Sequence, residues 1–321
     1  MSQDLFREIF QPGFSNPFLD EVHDGAILDM GGQKLAFSTD SFVVNPIFFP
    51  GGNIGDLAVN GTVNDVAMCG ADPKYLSAGF ILEEGFSLDS LKLIVDSMKV
   101  AAEKAEVTLV TGDTKVVEKG SVDGVFINTS GIGLVRESVD ISPTRAEVGD
   151  VVLINGRIAD HGIAVMTKRQ GLEFESSVVT DCAALNRMIA TLLDRVEDVH
   201  VLRDPTRGGV AATLNEIASA ANVGIELFED QIPLDDQVKA ISSLLGLDPF
   251  YIANEGKVLV IVKESEAETA LETMKSFDEG RESSVIGRIV EKNAGKVILE
   301  TSIGTRRIVD MPAGEQLPRI C

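Results

Sequence analysis

Tryptophan is absent from the 321 residues, tyrosine occurs twice, and aromatic residues make up 5%. The core is therefore mainly aliphatic, and 44% hydrophobic residues supply enough of it. Basic residues are also scarce: 28 Lys and Arg stand against 50 Asp and Glu, a net charge of −22. That excess repels phosphate backbones and anionic lipid, which argues against nucleic-acid and membrane-surface partners. It leaves room for a nucleotide, because Mg²⁺ bridges carboxylates to phosphates. No run reaches the roughly 18 apolar residues of a membrane span, and the opening MSQDLFREIF lacks the regions of a signal peptide. The 3 cysteines are widely spaced with no CxxC, which disfavours a disulfide framework or zinc site and points to a reducing cytoplasm. GxxxxGK[ST], GxGxxG and GxSxG are all missing, so P-loop, Rossmann and α/β-hydrolase chemistry have no support.

The length suggests two domains of roughly 150 residues each. Strands are expected at 34–44, 74–84, 107–117 and 124–135, where β-branched or aromatic residues are bounded by Gly, Pro or charge. Between the second and third, Ser87 offers an N-cap, and Leu91, Ile94, Val95, Met98, Ala102 and Ala105 follow at helical spacing. A further helix is expected at 55–69. The polar, proline-bearing stretch 142–150 marks the domain boundary. Beyond it, strands at 151–155, 224–228, 257–262, 284–290 and 296–301 alternate with helices at 162–170, 181–195, 208–221, 235–244 and 265–277. Such alternation gives sheets covered by helices. The expected division is 1–145, 146–312 and a mobile tail at 313–321.

Three aspartates stand where strands end or helices begin: Asp40 in FSTDSFV, Asp65 in GTVNDVAMCGA and Asp113 in VTGDTKVV. Hard oxygen ligands brought together there suit Mg²⁺ with a nucleotide triphosphate. The alternative for each is an Asx-turn or helix cap. Asn64, Thr39 and Thr114 lie beside them. Lys115 shares a strand face with Asp113 and could reach a phosphate or act as a base. In the second half, DPTRGG (204–209) opens a helix. Its glycines let backbone N–H groups approach an anion, beside Asp204 and Arg207. Glu255 in NEG and His161 in ADHG are candidate bases, each with a structural alternative as turn carboxylate or packed imidazole. Cys69 and Cys182 fit apolar helices and are expected to be inert core thiols. Cys321 ends an eight-residue tail that reaches about 26–29 Å when extended, enough for a thiol that swings between two sites.

Taken in order, FSTDSFVV, FFPGGNIGDLAVNGTVNDVAMCGA, GFILEEG, VTGDTKVV, DHGIAV, DPTRGGV, NEGK and the terminal PRIC resemble the HypE family of hydrogenase maturation proteins. That family lies within the aminoimidazole ribonucleotide synthetase-like (PurM-like) superfamily. The resemblance runs from about Phe6 to Cys321, and PRIC is its most specific part. It implies an α+β N-terminal domain that dimerises through its sheet, an α/β C-terminal domain, and ATP in the cleft between them. It implies that Cys321 receives a carbamoyl group from the carbamoyltransferase HypF. ATP-dependent dehydration then leaves a thiocyanate, and cyanide passes to iron on the HypC–HypD scaffold. Asp40, Asp65 and Asp113 fall in the family's ATP–Mg²⁺ motifs, with Asn64, Thr114, Asp204 and Arg207 beside the nucleotide. Glu255, Lys115 and His161 all stay open as the base. A glycine-rich HGxGG-type loop is expected before the first helix, and the sequence departs from that pattern at Met1–Phe6. The competing readings are selenophosphate synthetase or thiamine-monophosphate kinase, which give PRIC no purpose, and a non-catalytic scaffold whose tail docks a partner.

Overall fold

Period-two burial builds the first sheet. In the computed structural model, which describes residues 6–20, 23–137, 139–170, 177–312, 317 and 319–321, β1 (Ala26–Asp29) pairs antiparallel with β2 (Lys34–Phe42). Along β2, Ala36, Ser38 and Phe42 are buried while Phe37, Thr39 and Ser41 are exposed, as in a strand covered on one face. A small hairpin, β3 (Phe48–Phe49) and β4 (Gly52–Asn53), leads into α1 (Ile54–Met68). Asn53 Oδ1 accepts from Gly55 N at 2.8 Å and Asp56 Oδ2 accepts from Asn53 N at 2.9 Å, a reciprocal cap that starts the helix. All of α1 except Asp56 and Asp65 is buried, so it runs through the interior rather than along the surface.

Four elements complete this domain: β5 (Ala71–Glu83), α2 (Leu88–Ala105), β6 (Thr108–Val117) and β7 (Val125–Val135). Ser87 caps α2 as its pattern predicts, accepting from Ser90 N at 3.3 Å. Ile94, Met98, Ala101, Ala102 and Ala105 form its buried face. The strand order is β1-β2-β7-β5-β6, and the parallel β5–β6 pair is joined by α2 as a crossover.

The second sheet has seven strands, β8 (Asp150–Ile154), β9 (Val199–Arg203), β10 (Gly224–Phe228), β11 (Leu259–Lys263), β12 (Ser284–Val290), β13 (Lys296–Glu300) and β14 (Arg306–Val309), in the order β14-β13-β10-β12-β8-β11-β9. Its helices are α3 (Asp160–Arg169), α4 (Asn186–Arg195), α5 (Gly209–Ala221), α6 (Asp236–Leu245) and α7 (Ala267–Lys275). Val210, Ala211 and Leu214 of α5 pack on one face with Ile154, Ile225 and Leu259. Met188 and Leu192 of α4 and Met274 of α7 cover the other with Leu153, Leu202 and Val260. This is the two-domain, helix-covered sheet architecture expected. The domains share apolar packing at two places. Ala67 and Met68 of α1 join the α4–α7 cluster, and Val165 and Met166 of α3 join Phe42, Val44 and Phe49.

Five strands escape the sequence pattern: β3 and β4 are two residues each, and β1, β9 and β14 are five residues or fewer and carry charge. The helix expected at 181–195 begins only at Asn186. Residues 177–185 are instead an extended strap, because the strap's polar groups are taken by other elements. Asn64 on α1 donates to Ala183 O at 3.0 Å and accepts from Leu185 N at 2.8 Å. The start of the chain (1–5) and the tail residues 313–316 and 318 lie outside the described residues. Among the described residues no helix is long and apolar enough to cross a membrane.

Gly256 marks how closely the strap passes: a Cβ there would lie 1.8 Å from Asp181 O. Gly256→Ala is therefore expected to lower stability by ~1–3 kcal/mol or more. A denaturant midpoint equal to the parent's would show that the strap yields without cost.

Candidate active site

The three second-domain motifs meet on one side chain. Asn254, 1% exposed, accepts from Ala159 N at 2.7 Å and donates to Pro205 O at 2.8 Å, tying NEG to the loops that carry ADHG and DPTRGG. Gly208 and Gly209 open α5 with φ of 81° and 62°, and a Cβ on Gly209 would stand 2.6 Å from two carbonyl oxygens. Only glycine fits that left-handed, close-packed turn. The result is a wall in which Asp204, Glu255 and His161 are buried and Arg207 is exposed.

The chain's end lies against that wall. Val43 N donates to Cys321 O at 3.1 Å and Asn45 N donates to Arg319 O at 3.1 Å, so the last residues run alongside the segment after β2. Ile320, 3% exposed, fills the shared apolar cluster of the two domains. His161 Nε2 lies 3.0 Å from Ile320 O, and its Nδ1 lies 2.7 Å from Thr180 Oγ1. A carbonyl only accepts, so Nε2 carries the hydrogen. Burial lowers the imidazole's pKa and keeps the ring neutral, which leaves Nδ1 to accept from Thr180. With the tail docked, His161 is an anchor whose free lone pair is already used.

Part of Cys321 reaches solvent, yet its thiol is held in protonated form. Burial, then the Glu255 carboxyl, push its pKa up to about 12; Asp40 adds to this and Arg207 opposes it. Around the sulfur lies a dense group of acids. Asp65 is held well above the usual carboxylate range by burial and by Asp204, Asp40 and Asp24. Asp204 is raised likewise by burial and Asp24, against Arg203. Burial raises Asp40 too, against Ser41 N–H and Arg207. Glu255, 4% exposed, is raised well above its ordinary value by burial, Asp40, Asp181 and Asp204. Its Oε1 has no hydrogen-bond partner among the described residues. Ser38 Oγ lies 2.7 Å from Asp65 Oδ2 and 3.0 Å from Asp24 O. The Ser38 hydroxyl donates to the Asp65 carboxyl, which offsets part of the rise in its pKa. Arg203, 8% exposed, offsets part of the charge through Asp24 at 2.6 Å and Glu216 at 2.9 Å.

Other expected site residues are placed differently. Asn64 is 1% exposed and its amide holds the strap, with a longer 3.4 Å contact to Glu255 O, so it faces backbone rather than a nucleotide. Asp113, Thr114 and Lys115 lie on β6, where all but the last residue are exposed, and Asp113 pairs with Lys115 at 3.1 Å. The Lys115 ammonium holds the Asp113 carboxyl below the usual range. Strand register sets Asp113 in one row with Gly79, Asn128 and Ser41. It is thus three strands, or about 14 Å, from Ser41. Asp113 shares the outer face with Ser41, whereas Asp40 points inward. Within one chain, therefore, Asp40, Asp65 and Asp113 do not form a common ligand set, and among the described residues no three such groups are close enough to hold a metal. Cys69 is buried, as expected of a core thiol. Cys182 stands on the strap rather than on a helix, and its sulfur accepts from Asn60 at 3.3 Å.

The sequence reading missed Asp24, Arg203, Thr180 and Asp181. Asp181 accepts from Glu255 N at 3.1 Å and pairs with Lys257 at 3.0 Å. Burial would raise its pKa, but Lys257, His161 and the Glu255 N–H lower it, so it stays ionised behind Glu255. An arginine directly before DPTRGG, in a strand otherwise apolar enough to bury it, was the available signal for Arg203.

The raised thiol pKa has a direct readout. Alkylation of Cys321 by iodoacetamide should climb about tenfold per pH unit from 8 toward 11, because the thiolate is the reactive form. Levelling near pH 9, the ordinary thiol range, would show that the sulfur is not held as described.

The sequence matches the AIR synthase related protein N-terminal domain over residues 22–135 and the corresponding C-terminal domain over 147–300. It is 49% identical to the carbamoyl dehydratase HypE of Bradyrhizobium diazoefficiens, covering 99% of this chain and 92% of that protein. Identity to carbamoyl dehydratase HypE of Escherichia coli K12 is 45%, over 99% and 96% of the two chains. Among solved structures, HypE in a HypE–HypF complex superposes with a TM-score of 0.92 at 48% identity, over 96% of this chain and 99% of that one. HypE in complex with ATP gives 0.88 at 48%, over 100% and 96%. A thiamine monophosphate kinase from Aquifex aeolicus shares the fold alone, at 15% identity and a TM-score of 0.70, over 96% of this chain and 99% of that one. Two matched domains and near-full-length identity place this chain in the HypE carbamoyl dehydratase family of AIR synthase related proteins.

Proposed function

We propose that this chain converts a carbamoyl group on the Cys321 sulfur to thiocyanate at the expense of ATP, as a cytoplasmic step in making cyanide for [NiFe]-hydrogenase iron. The observation that carries this is the terminal thiol docked beside Glu255, Arg207 and Asp40. In balance, Cys–S–C(=O)NH₂ and ATP give Cys–S–C≡N, ADP and phosphate. The carboxamide oxygen takes the γ-phosphoryl group while one N–H proton leaves. Loss of phosphate with the second proton then forms the C≡N bond. A base must stand within reach of that nitrogen.

Glu255 fits this role best. Lys115 is exposed and ion-paired, and His161 donates to the tail itself. Burial, then Asp40, Asp181 and Asp204, raise the pKa of Glu255, so offsetting those charges would bring it part of the way down. Mg²⁺ entering with ATP would be held chiefly by the phosphates, with one or two of the buried carboxyls of Asp40, Asp65 and Asp204 beside it. Bound there, Mg²⁺ would spread charge on the γ-phosphate. Offsetting the same carboxylates lowers the pKa of Glu255 and readies it only when nucleotide is present. Arg207, on the exposed turn before α5, is placed to meet an anionic group. The ATP-bound and HypF-bound relatives support ATP as substrate and HypF as carbamoyl donor; HypC–HypD as acceptor rests on the sequence resemblance.

The outer face of the first sheet has its own role in this reading. Phe37, Tyr75, Ile81 and Ile132 are 41%, 50%, 41% and 37% exposed there, beside Asp113 and Lys115. A second copy covering this face would form a homodimer and bring Asp113, Thr114 and Lys115 out of bulk water, where a role at the nucleotide becomes possible.

Incubation with HypF, carbamoyl phosphate and ATP should add about 43 Da to Cys321 and then convert the adduct to about +25 Da, the masses of carbamoyl and cyano groups on a nucleophilic thiol. Glu255→Gln should accept the first adduct and slow its dehydration by about 10²–10⁴-fold. Cys321→Ala should form neither; adducts on Cys69 or Cys182 would overturn the reading. Sedimentation at micromolar concentration should give a dimer, and a monomer would remove the sheet face from the account.

A further inference from the structure

Three successive carbonyls at the chain's end are each held by a different donor. Asn45 N reaches Arg319 O, His161 reaches Ile320 O and Val43 N reaches Cys321 O. Arg169, the last residue of α3, adds a second donor to the first of these. Its Nη2 donates to Arg319 O at 2.5 Å and its Nε to Asn45 O at 2.6 Å, so one guanidinium clasps both the tail and the segment the tail lies on. The Arg319 side chain is gripped from the first domain. It pairs with Asp123, donates to Val43 O at 3.2 Å, and lies 5.7 Å from the Phe126 ring centroid. Arg319 itself sits at φ 58°, a left-handed conformation uncommon for residues other than glycine. None of these groups touches the sulfur.

We propose that Arg169 and Asp123 are positioning residues for the carrier thiol. Together they form a two-sided latch, one side from each domain, that sets how much of the time Cys321 stands beside Glu255. The charge-assisted bonds from Arg169 to two carbonyls are the stronger half. Asp123 is half exposed, so its pairing with Arg319 is the weaker and salt-sensitive half. The inference rests on Cys321 being the carrier, but its first test does not.

That test is alkylation of the full-length, unmodified chain by iodoacetamide at pH 8, followed at each cysteine by peptide mass spectrometry. Arg169→Ala should raise the rate at Cys321 about tenfold or more, from loss of two hydrogen bonds by a charged group. Asp123→Asn should raise it about threefold. Arg169→Lys, with its charge but without the fork, should fall between parent and Arg169→Ala. Cys69 should stay unreactive in all, as the control for intact folding. Removing a nearby cation would by itself slow thiolate formation, so faster alkylation reports release of the tail. Rates within twofold of the parent in all three variants would overturn the latch. The second readout is single-turnover dehydration of carbamoylated chain at saturating ATP. It should fall by the same factors, with ATP affinity unchanged; freer thiols with an unaltered dehydration rate would overturn the positioning role. If the parent itself fails to dehydrate carbamoylated Cys321, the proposed function falls while the alkylation rates still decide the latch.

Discussion

Asp40, Asp65, Asp204 and Glu255 form one partly dry group in which burial raises the pKa of each, and neighbouring carboxylates add to the rise at Asp65, Asp204 and Glu255. Charge of one sign cannot accumulate there without compensation. Much of the surrounding architecture supplies it. Arg203 is buried to pair Asp24 and Glu216, Lys257 is buried to keep Asp181 ionised, and the Ser38 hydroxyl donates to the Asp65 carboxyl. The same tension keeps the Cys321 thiol neutral. A sulfur brought to this place is therefore quiet for as long as the local charge stays as it is.

Large parts of the fold were legible because they follow periodicity. The cap at Ser87, the buried stripe of α2 and the alternation along β2 depend on neighbours within a few residues. What escaped the sequence depends on distant partners. Residues 181–185 have helical composition, yet Asn64, more than a hundred residues earlier, claims their backbone groups. Asn64 beside Asp65 reads as a ligand pair in the sequence. On the helix, adjacent residues point in different directions, and one holds backbone while the other faces the cleft. Asp113 fails as a partner for Asp40 for the matching reason in strands: register and pleat set the two on opposite faces of one sheet.

The second-domain motifs were found as separate weak signals. Their convergence comes from Asn254, whose amide joins three loops. NEG is thus as much a knot as a source of Glu255, and the close passage of the strap over Gly256 fixes the glutamate's backbone in turn. A motif's middle residue can carry chemistry while its flanks carry only geometry.

The backbone of the chain's end is held by its main-chain oxygens, while the Arg319 side chain and buried Ile320 anchor it. Such a cradle does not read the sulfur. In the proposed function, bare thiol, carbamoyl and cyano forms would present the same three oxygens and dock alike. Equal affinity for every form of a carrier shifts no equilibrium between them. Direction would then come from nucleotide turnover and competing acceptors, and throughput from how often the tethered end comes and goes.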